Sequence, residues 1–141
     1  MSVIGFNFIS ISGILEEVKE GGKEINVSSS PRIDSMEKKE VEIPGMDNVL
    51  GIKFTFQTIY EPKIGGIEMT GEILYKAEDA KVALKLWKEK KTVEQKIYLE
   101  VANTILRKCL SKAVMLADDL RLPQPVVFPI VTPSQPEEKK K

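Results

Sequence analysis

The sequence has no histidine and one cysteine among its 141 residues, and only 6% of it is aromatic. Without histidine there is no imidazole general base, no Ser-His or Cys-His activated nucleophile, and no use of the commonest zinc ligand. A single cysteine, Cys109, cannot close an intramolecular disulfide. A disulfide-stapled secreted scaffold is thereby excluded, and a reducing, cytoplasmic setting is expected. Net charge is lacking as well, since 21 Lys plus Arg balance 21 Asp plus Glu. No long-range field draws nucleic acid or an anionic membrane to the chain, and DNA is not an expected partner. Residues Met1 to Phe8 have no basic start and no continuous apolar run, and nowhere do about 18 apolar residues follow one another. Neither a signal peptide nor membrane insertion is expected.

What is present is an ordinary globular balance: 42% hydrophobic and 30% charged residues, with a mean hydropathy of -0.15. The length suits one compact domain. From Ile4 to Glu17 apolar residues fall first on Ile4, Phe6 and Phe8 and then on Ile9, Ile11 and Leu15. This is period 2 with a phase slip, a strand carrying a β-bulge. Glu20-Gly21-Gly22-Lys23 is turn chemistry, and Ile25 to Ser28 alternates again, so the sequence predicts a first hairpin. Ser29 to Glu40 is polar and charged, with Val41-Glu42-Ile43 as a possible edge extension.

The clearest strand is Leu50 to Thr58, with Leu50, Ile52, Phe54 and Phe56 on one face and Lys53, Thr55 and Gln57 on the other. Glu61 to Gly66 turns the chain, and Ile67, Met69, Ile73 and Tyr75 mark a strand that closes a second hairpin. One buried and one wet face predict an antiparallel sheet with helices stacked on a single side. Ala80, Ala83, Leu84 and Trp87 then follow helical spacing. Thr92 with Gln95 resembles a capping box for a long helix from Val93 to Asp119, whose apolar positions step by four through Ile97, Val101, Ile105 and Cys109. Beyond it, Pro123, Pro125, Pro129, Pro133 and Pro136 punctuate an apolar stretch that favours extended structure.

Little in this pattern is catalytic. Cys109 sits on the most apolar helix face and reads as a small hydrophobe. Adjacent carboxylates such as Glu16-Glu17 and Asp118-Asp119 do not set two carboxyl groups across a substrate, and no calcium-type loop spacing occurs. The lysines at 88, 90 and 91 lack interleaved aromatics and read as a solvated face. No cofactor, no metal and no enzymatic activity are expected. The tail is more informative: Val126, Val127, Phe128, Ile130 and Val131 must pack on their own domain, on another subunit, or on an extended ligand.

Arg107-Lys108-Cys109-Leu110, followed by Leu122-Pro123-Gln124-Pro125-Val126-Val127-Phe128-Pro129-Ile130-Val131, resembles a motif of the SecB-like protein-export chaperones. The opening Ile4-Gly5-Phe6-Asn7-Phe8 is also similar to that of short archaeal proteins linked to that family. The resemblance implies an α+β fold, a four-stranded antiparallel sheet with a short helix and a long C-terminal helix on one face. It further implies one domain over residues 1–122, a tail at 123–141 frayed at its end, and a homo-oligomer, dimer or tetramer, that pairs sheets and helices across subunits. The implied function is an ATP-independent holdase whose groove takes unfolded or nascent polypeptides, bordered by Leu84, Trp87, Val126, Phe128 and Ile130. The alternative is an oligomeric adaptor or assembly factor for one protein partner, ribosome-associated or of toxin-antitoxin type.

Overall fold

The computed structural model describes residues 2–16, 25–40, 44, 45, 47–61, 64–127, 129–131 and 133. Four strands, β1 (Ser2–Leu15), β2 (Asn26–Lys39), β3 (Val49–Glu61) and β4 (Gly65–Lys76), precede two helices, α1 (Ala80–Lys90) and α2 (Gln95–Leu120). The strands form one antiparallel sheet in the order β1-β4-β3-β2. Its architecture is the α+β arrangement expected, with both helices on one face.

That face is the core. Leu50, Ile52, Phe54 and Phe56 of β3, all fully buried, stand opposite Tyr75, Ile73, Gly71 and Met69 of β4. Ile97, Val101, Ile105 and Cys109 of α2 seal them, each buried to 3% exposure or less. Each large side chain so removed from water contributes about 1.5–3 kcal/mol. Gly71 is fixed by this packing, because a Cβ there would collide with the Asn7 carbonyl and the Phe54 ring. On the opposite face Lys53 is exposed as expected, but Thr55 is 3% exposed, covered by Asp34, which accepts its hydroxyl hydrogen bond.

The expected first hairpin does not form. β1 pairs with β4 and β2 with β3, so the two supposed partners lie at opposite edges of the sheet. The Gly21-Gly22 turn itself falls outside the described residues. A local turn signal says only that the chain reverses, whereas the choice of partner follows burial: Phe6 packs its ring 5.4 Å from that of Phe54, at the seam under α2. The expected bulge does appear, as register shifts between Phe8 and Ser10 and between Val3 and Gly5. Ser29 to Lys39, read as a polar connection, is most of β2. Its core-facing residues Val27 and Ile33 change phase to Met36 across a register shift between Ile33 and Ser35, which conceals the period.

Asn48, in the left-handed region at φ 57, fixes where α1 begins. Its carbonyl accepts from Ala77 N at 2.9 Å and its Oδ1 from Ala80 N at 3.1 Å. Asp79 caps the helix by accepting from Lys81 N. The expected capping box of α2 is absent: Glu94 is the N-cap without a side-chain bond, and Thr92 Oγ1 donates to Lys90 O at 3.0 Å. Thr92 is used instead at the end of α1, where Lys91 turns left-handed and its N–H reaches Trp87 O.

Candidate functional site

The helix α2 lies along β1. Lys108 Nζ stands 5.7 Å from the centre of the Phe6 ring, and a side chain at Gly13 would meet Leu120. Between helix and strand, Phe8, Arg107, Lys108, Ser111, Lys112 and Met115 enclose a hollow of about 470 Å³. Phe8 is what β1, the edge strand, contributes to its lining. From Ser2 to Leu15 that edge has no charged residue, and Ile4, Ile9, Ile11 and Ile14 are 41% to 57% exposed. A smaller hollow of about 170 Å³ opens where Gly66 carries no side chain near Ile14 and Ile59.

The second apolar surface follows α2. Arg121 ends the helix in the left-handed region, with Leu122 N bonded to Ala117 O at 2.8 Å, and Leu122 is buried. Tyr60 Oη donates to Pro123 O at 2.6 Å and fixes the point of departure. Past it Val126 is half-buried, whereas Val127, Ile130 and Val131 are 98%, 80% and 100% exposed. Of the three packings open to the tail, burial on its own domain does not describe these last three residues.

Leu84 and Trp87 are half-buried on α1 against the core, with Lys91 Nζ 5.0 Å from the Trp87 ring centre. α1 begins at the end of the sheet where β3 starts, beside Asn48, and the tail leaves from the other end, beside Tyr60. The 26 residues of α2 separate the two, about 39 Å at 1.5 Å per residue. Phe128 lies outside the described residues. The exposed isoleucines of β1 were not singled out from sequence, although the uncharged run that carries them is visible there.

Ionisable groups in the core are held neutral. Burial pushes the Cys109 thiol up to about 12, so it is a packing residue and not a nucleophile. Burial, and then the nearby Glu100 carboxylate, push the Tyr75 phenol up. Among the described residues no three His, Cys, Asp or Glu side chains converge in a metal-binding group. No helix among them is long and apolar enough to cross a membrane.

This fold, a four-stranded antiparallel sheet with a long C-terminal helix, matches that of a SecB-like chaperone of known structure. Among solved structures, the SecB-like chaperone Rv1957 of Mycobacterium tuberculosis, in complex with a ChAD peptide from the Rv1956 HigA1 antitoxin, matches with a TM-score of 0.56. The match covers 95% of this chain and 92% of that one at 7% identity, which is a likeness of fold. No family model and no curated protein sequence matches the chain.

Proposed function

We propose that the protein is an ATP-independent holdase of SecB-like type, a cytoplasmic protein that binds unfolded or nascent polypeptides and catalyses no reaction. The observation that carries this reading is the uncharged β1 edge, with its four exposed isoleucines, on the same fold as a chaperone solved with a peptide. An outer strand offers a row of N–H and C=O groups to an extended chain, and exposed apolar side chains supply the affinity. The proposal includes a folded unit over residues 1–122 with 123–141 as an appendage. Leu84, Trp87, Val126, Phe128 and Ile130 are its proposed client contacts, and a homo-oligomer, dimer or tetramer, its state. The core face of β3 and β4 is already covered by α2, so subunit contacts fall to exposed residues such as Tyr98 and Leu99.

A second reading, an adaptor for one protein partner, is favoured by the source of the neighbour's peptide, an antitoxin. An aggregation assay separates the two. A holdase keeps several unrelated denatured proteins in solution at stoichiometric ratios, whereas an adaptor protects none and retains one partner in a pull-down. Trp87→Ala and Phe128→Ala, compared for thermal unfolding and client affinity, test the contacts. A fall of about tenfold or more in affinity with the fold intact supports them. Lost stability with unchanged affinity per folded molecule makes them structural.

A further inference from the structure

Zero net charge hides an uneven distribution along the chain. From Ala80 to Lys91, the span of α1 and its C-cap, there are five lysines and one carboxylate, Glu89, a net +4 that the rest of the chain offsets. Helix stability accounts for part of this excess. Lys88 and Lys90 lie in the last turn, where cations complement the helix dipole, and Lys91 sets its Nζ over the Trp87 ring. It does not account for Lys81, because the first turn has no acidic residue and Lys81 sets a cation against the positive end of the dipole. Lys81, Lys85 and Lys88 stand at i, i+4 and i+7, one exposed stripe along the helix. Among the described residues none of the three forms an ion pair. Lys85 precedes Glu89 in the less favourable order for an i, i+4 pair.

Few ligands suit such a stripe. The apolar side of α1 is used in the core, through Ala80, Ala83, Leu84 and Trp87, and Val82 is the one large apolar side chain of the helix more than a third exposed. A bilayer takes a basic helix by its apolar face, and a bound polypeptide is held by buried anchors. The stripe has neither. Lysines are point charges on flexible stems, which suit phosphates, whereas the planar fork that pairs with carboxylates belongs to arginine. Lys81 to Lys88 cover about 10.5 Å of helix rise, the axial length of about three phosphates on one strand of a duplex.

We propose that the stripe of Lys81, Lys85 and Lys88 docks the protein on the phosphate backbone of RNA. The inference rests on the reading above that the clients include nascent polypeptides, whose site of synthesis exposes RNA, and it adds where the protein waits for them. No base is read, so binding is independent of sequence and weakens as salt is raised. α1 begins at the end of the sheet beside Asn48, opposite the end where Tyr60 holds the root of the tail, so docking leaves the tail's point of departure clear.

Co-sedimentation with purified ribosomes free of nascent chains, and fluorescence anisotropy with a labelled uridine strand of about 20 nucleotides, test this between about 50 and 200 mM salt. The parent is expected to bind both at the lower salt, with a log–log salt slope of about −2 for the strand, the value for three phosphates on a single strand. The double variant Lys81→Glu, Lys85→Glu should unfold at the parent's midpoint or above it, because an anion in the first turn suits the helix dipole. It should bind the strand at least tenfold more weakly and no longer sediment with ribosomes. A control of equal charge change at exposed positions on other elements, Lys53→Glu with Lys112→Glu, should stay within twofold of the parent. Both variants should still keep a purified denatured protein in solution. Equal losses in the two variants reduce the effect to net charge and overturn the inference, as does a double variant that still sediments with ribosomes. A parent that fails to bind the ribosomes or the strand overturns it as well, whatever the aggregation assay gives. A parent that binds both but protects no denatured protein sinks the holdase reading and leaves the docking surface. Displacement of the strand by anionic phospholipid vesicles or by a poly-glutamate peptide overturns it in favour of a lipid or an acidic polypeptide, and tighter binding of a thymidine strand of equal length in favour of DNA. Client protection lost in the double variant alone assigns the stripe to the client surface and overturns it too.

Discussion

The two edges of the sheet are strands of equal length, 14 residues each, built on opposite rules. β2 is blunted: Pro31 removes a donor, and Arg32 and Asp34 form an ion pair at 2.7 Å that also holds Thr55. Lys39 reaches Glu72 of β4 across Gly51, at 3.2 Å. β1 has neither proline nor charge, and its protection consists of two bulges that leave Ile4 and Ile9 in solvent. Charges, proline and bulges are the devices by which sheets discourage unwanted pairing. One edge uses all three, with its own register shift between Ile33 and Ser35, and the other only the last. The difference marks β1 as the edge from which pairing has not been designed away.

The largest effect expected is common to both edges. Phe54 stands opposite Ile33 of β2 and beside Phe6 of β1, so Phe54→Ala should cost about 3–5 kcal/mol in urea unfolding and loosen both edges. Hydrogen exchange that accelerates on one edge only would break the idea of a shared core. Gly71→Ala should cost about 1–3 kcal/mol through overpacking against Asn7 and Phe54, and should accelerate exchange in β1 more than in β2.

Alkaline pH probes each edge through its own tyrosine, Tyr75 opposite Val3 and Tyr60 opposite Val27. Burial pushes both phenols above their ordinary value of 10.0 and the Cys109 thiol up from 9.0 to about 12. The folded chain thus keeps protons that the unfolded chain releases. Stability should be complete below pH 9 and fall as the pH rises beyond it. Tyr75→Phe and Tyr60→Phe should each flatten that decline, and an unchanged slope in both would remove the tyrosines from the account. The smallest change in stability, within about 0.5 kcal/mol, is expected for Ile9→Lys, an exposed bulge substitution. Its readout is client protection in the aggregation assay, which should drop, whereas Glu37→Lys on β2 should leave it unaltered.

Where a strand is buried on one face, its period is written in the residues: Leu50 to Phe56 and Ile67 to Tyr75 were legible for that reason. β2 was not, because an edge strand buries few of its side chains, and the shift at Asp34 moves those few out of phase. Partner choice was illegible for a different reason. The glycine pair before β2 carries information about reversal, while the pairing of β1 with β4 goes with the packing of Phe6 on Phe54, in a strand far along the chain. The helical spacing of α2 predicted its buried stripe, including Cys109, to within a residue or two of the ends. Of the candidate site, the apolar tail was visible from its composition. The role of β1 needed the sheet order, since an uncharged strand means one thing in the middle of a sheet and another at its margin.

The sheet order also sets a timetable for synthesis. Ser10 and Thr70, whose hydroxyls lie 2.6 Å apart in the finished ladder, are 60 positions apart in the chain. On a ribosome adding about 5–20 residues per second, β1 emerges before β4 and waits several seconds for that strand, its partner among the described residues. β3 and β4, three residues apart in sequence, can zip as soon as both have left the exit tunnel. During that interval an uncharged, isoleucine-rich segment of the nascent chain stays without its partner strand. Under the proposed function the protein passes through its own birth in the condition it would relieve in others, and slowing translation between β1 and β4 should lower its yield.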